Sequence, residues 1–410
     1  MRLLLILALT VLPVGASAFQ PPEPQVYSFS IKDLNRARDR VRHADPTIQT
    51  ALKQLLSQAD AALQMEPVSV MQKTLTGASG DKHDYFSMGP YWWPDPAQPD
   101  GKPYIRKDGL VNPDSKTGTD SEPFLRLYRA VEALALAYYL TDHERYAQQA
   151  ARLTRIWFLD TDTRMNPHLN HGQAIPGKTD GRGIGIIETH NLVPLTDAIA
   201  LIERSKSWSK ADQRGFHAWL SSYLDWLLTS PLGKREKTEH NNHGTWYDAQ
   251  VAQLALVVGR TDLAKETLNH ALTERLAMHV ESDGSQPHEL ARSRPLVYST
   301  FNLRGLVTLA YQAETVGIDW WRYQTTDGRS LRGALTFLAP YAEPGIPFIK
   351  EDIVEPDRGE IRALVVTAAS RYNDLLFQET LARVRSDAFL AERWNLFDQT
   401  KPGFPAECAQ

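Results

Sequence analysis

The stretch Thr238-Glu-His-Asn-Asn-His-Gly-Thr-Trp-Tyr-Asp-Ala-Gln250 stands just before an apolar run, Val251 to Val258. Two His, two adjacent Asn, a Gly and two aromatics fall together here. A buried helix does not require Asn-Asn-His-Gly at its start, and a solvated loop does not require Trp246 and Tyr247 beside it. The mixture predicts a polar site at the mouth of a helical scaffold. The plainer reading is that Asn242 caps the helix and His243 hydrogen-bonds to the backbone.

On both sides of this stretch the pattern is helical. Ile31 to Arg42 and Thr47 to Leu63 read as two helices, with Pro46 marking the start of the second. Phe124, Leu127, Val131, Leu134 and Tyr138 recur at helical spacing, and Tyr146 to Leu159 pairs with them. Ile186 to Ile202 and Lys210 to Leu228 form a further pair. Leu263 to Val280, Leu296 to Val316, Leu331 to Tyr341 and a last pair within 361 to 396 follow. Strand signals are sparse. Helix after helix with polar loops between predicts an all-α fold, an α/α toroid of stacked αα-hairpins with long loops lining a central cleft. No composition break marks a second domain, so residues 19 to 410 are expected to form one.

Composition narrows the function. The chain has 410 residues, 42% hydrophobic and 23% charged, enough for a large core. With 45 basic and 49 acidic residues the net charge is −4, which gives no bulk attraction to nucleic acid or anionic membrane. Arg2 precedes an apolar run to Leu12 and then Ala16-Ser-Ala18. This reads as a signal peptide over residues 1 to 18, so export to the periplasm, or secretion beyond it, is expected. The run is too short for a membrane span. The single Cys408 excludes an internal disulfide.

Residues 64 to 120 break the helical pattern with Gly, Pro, Asp and aromatics. A loop region of this length is usually functional or disordered, and its aromatic content favours order. Within it, Tyr85, Tyr91, Trp92 and Trp93 crowd together beside Lys82 and His83. Aromatic faces stack on the apolar faces of sugar rings, and flanking polar groups bind hydroxyls. Arg106 and Lys107 could meet a substrate carboxylate. Asn170, His171 and Gln173 suit hydroxyl recognition. His168 and His171 lack a nearby carboxylate or Cys to complete a metal cluster, so no metal and no cofactor is expected. Gly181-Arg-Gly-Ile-Gly185 follows no clear strand, which makes a nucleotide loop a weak reading. A Gly-eased helix start carrying Glu188, His190 and Asn191 fits better. Arg292, Arg294 and Tyr298 gather at the start of a helix, where a positive field would favour a phenolate.

The blocks Lys82-His-Asp-Tyr-Phe-Ser-Met-Gly-Pro-Tyr-Trp-Trp-Pro-Asp-Pro96, Asn241-Asn-His-Gly-Thr-Trp-Tyr-Asp248 and Glu289-Leu-Ala-Arg-Ser-Arg-Pro-Leu-Val-Tyr298 resemble the alginate-lyase-like polysaccharide lyases. They are most similar to the branch classed as polysaccharide lyase family 38. The resemblance runs from about residue 60 to 390. It implies an α/α toroid that cleaves 1,4-linked uronic-acid polymers, alginate or glucuronan, by β-elimination. The family's Asn-His pair falls on Asn242 and His243, and its Arg-then-Tyr pattern on Arg292 or Arg294 and Tyr298. In better-known members the Arg lies one residue further from the Tyr than Arg292 does.

On this reading Tyr298 is the base, and His243, Asn242 and Arg292 are its catalytic partners. Substrate contacts are expected from Arg294, Asn241, Trp246, His190, Asn191, Asn170, Gln173, Tyr85, Tyr91, Trp92, Trp93, Lys82 and His83. An anionic polysaccharide is the expected partner. Two rivals remain. A glycoside hydrolase would use two carboxylates, drawn from Glu188, Asp248, Asp283 and Glu289. A non-catalytic oligouronate-binding protein would use the same aromatic loop.

Overall fold

The structure is a computed structural model that describes residues 23–384 and Leu396. The expected signal peptide and Cys408 lie outside the described residues. Helix α1 (Ile31–Arg42) begins where Ser30 accepts a hydrogen bond from the Asp33 amide. A 3-10 turn at Pro46–Ile48 leads into α2 (Gln49–Leu63). After the long loop come α3 (Ser121–Thr141), α4 (Glu144–Phe158), α5 (Leu192–Ile202), α6 (Lys210–Thr229) and α7 (Pro231–Lys237). Next are α8 (Asn242–Val257), α9 (Thr261–Ala271), the short α10 (Ala277–His279) and α11 (Pro287–Leu290), and α12 (Pro295–Thr315). Helices α13 (Leu331–Leu338), α14 (Gly359–Arg371) and α15 (Leu375–Val384) complete the described chain.

Neighbouring helices pack as hairpins, α3 on α4, α8 on α9 and α14 on α15, giving the α/α toroid that the periodicity predicts. Among the described residues no helix is long and apolar enough to cross a membrane.

Helix α8 is the hub. Fourteen of its sixteen residues are buried, so it has no solvent face. Tyr247, Val251, Leu254 and Ala255 join the core formed with α1 to α6. Trp246, Ala249 and Ala252 join the core formed with α9 and α12 to α15. Its buried glutamines are all paired. Gln250 accepts from Thr189 Oγ1 (2.8 Å), and Gln253 donates to Asp197 Oδ1 (2.7 Å) and accepts from Gln312 (2.9 Å). Left unpaired, each such group would cost about 1–3 kcal/mol. Asp197 also accepts from Tyr27 N and Ser28 N, which ties the N-terminal segment to the hub.

The apolar run predicts a helix from Val251, whereas α8 begins nine residues earlier at Asn242. Local polarity hides this first part, because the partners of Asn242 and Asp248 come from distant segments. The Ile186–Ile202 prediction also divides. Residues Gly183–Asn191 form a 3-10 helix before α5. Glycine is needed there by close approach, since a Cβ on Gly185 would lie 2.5 Å from the Gly172 carbonyl carbon.

The 64–120 loop is ordered by two short sheets. Strand β1 (Phe86–Met88) pairs in parallel with β4 (His171–Ala174), and β2 (Trp92–Trp93) pairs antiparallel with β3 (Ile105–Arg106). A buried ion pair fixes its base. Lys73 lies 3.0 Å from Asp120, with neither side chain exposed, and Asp120 also accepts from the Phe86 amide (2.9 Å).

Candidate active site

One wall of the site is the first turn of α8. The cap is Asn241, not Asn242, and its side chain accepts from the His243 amide (3.0 Å). Asn242 is buried and both its N–H groups donate to Glu289, the backbone N to Oε1 (2.6 Å) and Nδ2 to Oε2 (2.7 Å). A carboxylate thus satisfies an orphan donor at the positive end of α8 and aligns the amide side chain. Burial pushes the Glu289 carboxyl up. The two Asn242 donors, Arg292 and His243 oppose that rise without cancelling it, and two N–H donors on two oxygens favour the anion.

His243 does not bond to backbone through its ring. Its Nδ1 lies 2.7 Å from Glu236 Oε1 on α7, while its Nε2 has no hydrogen-bond partner among the described residues and is not buried. Gly244 follows because a Cβ there would lie 2.1 Å from the Glu239 carbonyl oxygen. Arg275, in a π turn at Leu272–Leu276, clamps the approach to this helix. It bonds Asp248 (2.8 Å) and the carbonyls of Glu239 (2.9 Å) and Lys237 (2.6 Å).

The second wall is the start of α12 with the tip of the long loop. The Arg292 guanidinium sits 3.9 Å from the centre of the Tyr298 ring and donates to Asp108 (3.1 Å). Asp108 also accepts from Ser293 Oγ (2.9 Å), and these partners hold its carboxyl down at about 2. The Tyr298 hydroxyl donates to the Tyr91 hydroxyl (2.7 Å). Glu289 joins the two walls, since its carboxylate accepts from Asn242 on α8 and its carbonyl accepts from the Arg292 amide (3.1 Å).

The positive field expected to favour a Tyr298 phenolate does not prevail. Burial, and then the Tyr91 hydroxyl, push the Tyr298 phenol well up, and Arg292 opposes this without overcoming it. Arg292 shares its charge with Asp108, whose own charge also raises the phenol. Arg292 and Arg294 are now distinguishable. Arg292 stacks on Tyr298, whereas Arg294 has a buried, unpartnered Nε and lies within charge reach of Asp352.

Other expected contact residues divide by position. Trp92 lies under Lys178 (4.6 Å) and Trp93 under Lys107 (4.9 Å), both part-exposed beside Tyr91. Arg106 pairs with Asp108 (2.6 Å). Tyr85 is buried and donates to Glu188 (2.8 Å). Gln173, at φ 50°, accepts from Arg182 at its backbone oxygen (3.0 Å) and at Oε1 (2.6 Å). Strain of this kind in a non-glycine residue persists only where surroundings enforce it.

Trp246 is buried and donates to the Phe301 carbonyl (3.1 Å). His190 packs on Trp246 and Phe301, and burial depresses it to about 3. Asn191 is buried against the Glu188 carbonyl (3.4 Å). Asn170 accepts from Trp226 (3.0 Å). Lys82 is exposed with its carbonyl accepting from Lys73 Nζ (2.5 Å), and His83 bonds the Arg164 carbonyl (2.7 Å), so neither contact runs to α8 or α12. The carboxylate that sequence spacing does not supply to His168 and His171 arrives as Asp84, 3.1 and 3.5 Å away. Among the described residues no group of three His, Cys, Asp or Glu side chains is arranged to hold a metal ion.

The carboxylates a hydrolase would need are engaged. Glu289 serves Asn242, Asp248 serves Arg275, Glu188 serves Tyr85, and Asp283 accepts from the Ser285 amide (2.8 Å). Sequence reasoning missed Glu236, Asp108 and Arg275 as site residues. Ser230-Pro231 carried one usable signal, since a Ser cap followed by Pro starts a helix and α7 carries Glu236.

The sequence profile of the alginate lyase family matches residues 69–348. An alginate lyase from Bacteroides ovatus, solved at 1.60 Å, superposes with a TM-score of 0.87 at 39% identity, over 92% of this chain and 100% of that one. Alginate lyase A1-III, as a single-residue variant complexed with tetrasaccharide, matches with a TM-score of 0.59 at 15% identity over 95% of this chain and 100% of that one. A second variant complexed with tetrasaccharide gives 0.55 at 16% identity. At these identities the A1-III likeness speaks to the fold alone. No curated protein matches the chain. The paired walls, the α/α toroid and the family match agree, and the chain belongs to the alginate lyase family of polysaccharide lyases.

Proposed function

We propose that the protein cleaves a 1,4-linked uronic-acid polymer by β-elimination, with alginate as its first candidate substrate and glucuronan as its second. One observation carries this reading. A carboxylate-aligned Asn242 and a carboxylate-backed His243 converge with an Arg292–Tyr298 stack. The B. ovatus relative is described as an alginate lyase, which favours alginate.

The chemistry requires such groups. The C5 proton of a uronate is weakly acidic while the neighbouring carboxylate is charged. The second Nδ2 hydrogen of Asn242 and the Arg292 guanidinium stabilise the charge that develops on that carboxylate. Tyr298 Oη, once deprotonated, takes the C5 proton. The C–H electrons form the C4=C5 double bond, the C4–O bond breaks, and the departing oxygen receives a proton. In mannuronate and glucuronate the C5 hydrogen and C4 oxygen share a face, so Tyr298 can serve as base and then as acid. In guluronate they lie on opposite faces, and His243 and Tyr298 would divide the roles.

The raised Tyr298 phenol keeps its proton at neutral pH, so that proton must leave before Oη can act as base. His243 Nε2, not buried and without a hydrogen-bond partner among the described residues, supports a role as acceptor. Export to the periplasm belongs to the same proposal and is checked by cell fractionation.

Ultraviolet absorbance over time tests the reaction, using purified protein with polymannuronate, polyguluronate or glucuronan. A rise marks 4,5-unsaturated ends and names the polymer. New reducing ends without absorbance would overturn elimination, and no change of either kind would favour the binding-protein reading.

A further inference from the structure

Glu236 stands outside the Asn, His, Arg and Tyr set, yet its carboxylate is 1% exposed and touches one ring nitrogen of the proposed proton acceptor. We infer that Glu236 is a positioning residue that fixes the tautomer of His243, holding the proton on Nδ1 and presenting the Nε2 lone pair to the substrate cleft. This inference rests on the elimination reading for its consequence in catalysis, but not for the ring state itself.

Three features of the geometry lead here. The Nδ1–Oε1 separation is 2.7 Å, the length of a charge-assisted bond. Glu236 Oε2 is buried without a hydrogen-bond partner, so His243 is the one hydrogen-bond partner of this carboxylate among the described residues.

The position is also rigid. Glu236 lies on α7, which begins at a Ser230 cap with Pro231 in the first turn. The helix packs against the 3-10 segment 183–191 and against α8. Gly183 permits that packing, because a Cβ there would lie 2.8 Å from the Leu232 carbonyl oxygen. His243 is fixed from its other side by the Asn241 cap on its amide. With both backbones held, the proton between Nδ1 and Oε1 decides what Nε2 can do. A carboxylate accepts only, so it selects Nδ1–H, and Nε2 then carries a lone pair able to take the Tyr298 proton. A protonated Glu236 would donate to Nδ1 instead, leaving Nε2–H and no acceptor in the cleft.

The test pairs a spectroscopic and a kinetic readout. Protein with 15N-labelled histidine is compared with its His243→Asn variant to assign the His243 ring signals. In wild-type protein the ring nitrogens should report Nδ1–H and an unprotonated Nε2 at pH 7.5 to 8.5. Glu236→Gln, which can donate its amide to Nδ1, should invert that pattern and lower kcat about a hundredfold with KM changed less than threefold. Glu236→Asp keeps the charge at a shorter reach and should recover part of the lost kcat together with the wild-type ring pattern.

An Nε2–H tautomer in the wild-type protein overturns the inference, as does a Glu236→Gln enzyme with kcat within threefold of wild type. If Glu236→Gln fails to fold, the wild-type ring pattern alone decides. Failure of the elimination reading is visible separately, as wild-type protein that generates no unsaturated ends on any uronate polymer.

Discussion

The two walls of the cleft are held by different means. On the α8 wall, Asn242 and His243 rest on Glu289 and Glu236, each 1% exposed and both delivered by helices. On the α12 wall, Arg292 rests on Asp108, whose side chain is 30% exposed and comes from the long loop, and Tyr298 rests on Tyr91 from the same loop. The first wall is set by the packed interior whether or not substrate is present. The second also draws Asp108 and Tyr91 from the loop. Helix-borne carboxylates therefore hold Asn242 and His243, while the loop supplies Asp108 and Tyr91 as supports for Arg292 and Tyr298.

The largest expected effect lies on the loop-dependent wall. Tyr298→Phe should lower kcat by about a thousandfold or more while oligosaccharide binding persists, measured by absorbance and by calorimetry. A near-normal rate would remove Tyr298 from the mechanism and shift the proton transfer to the α8 wall.

Next comes the support of Asn242. Glu289→Gln replaces one acceptor with a donor facing Asn242. It should cost about 1–3 kcal/mol of stability, read from the denaturant midpoint, and about a hundredfold in kcat. Loss of stability without loss of kcat would show that the amide needs no alignment.

The two arginines give a sharper contrast. Arg292→Ala should lower kcat/KM by about a hundredfold, and Arg294→Ala by less than about threefold, because only Arg292 stacks on Tyr298. The reverse order would transfer carboxylate neutralisation to Arg294.

The smallest effect concerns pH. Burial and Tyr91 both raise the Tyr298 phenol. The deprotonated form is therefore scarce at neutral pH, and kcat/KM should climb as pH rises into the alkaline range. Tyr91→Phe removes one raising influence, so that climb should begin at lower pH, with a change of only a few-fold in rate at its plateau. An unmoved pH profile would mean that the Tyr91 contact is present only without substrate.

Helix periodicity and residue type carried much of this in the sequence. Ile31 to Arg42 was readable to the residue, since a Ser30 cap and an amphipathic stripe leave little choice. The Asn-His and Arg-Tyr blocks were readable as chemistry because buried helices do not otherwise spend such groups at their ends. What the sequence alone determined, then, is the all-α class and the family through its blocks. The first rests on local spacing, and the second on the resemblance of those blocks to a known family.

The tertiary structure decided the rest, because the partners are remote in sequence. Asp84 joins His168 and His171, Asp108 joins Arg292, and Glu289 joins Asn242, each across many tens of residues. The α8 helix starts at Asn242 and not at Val251 for the same reason, as its polar first turn is paid for by Glu289 and Arg275 from elsewhere. Which arginine faces Tyr298, and which way its phenol is driven, depend on burial and on loop docking. Desolvation is a property of the packed volume around a group, and residue spacing along a chain does not encode it locally.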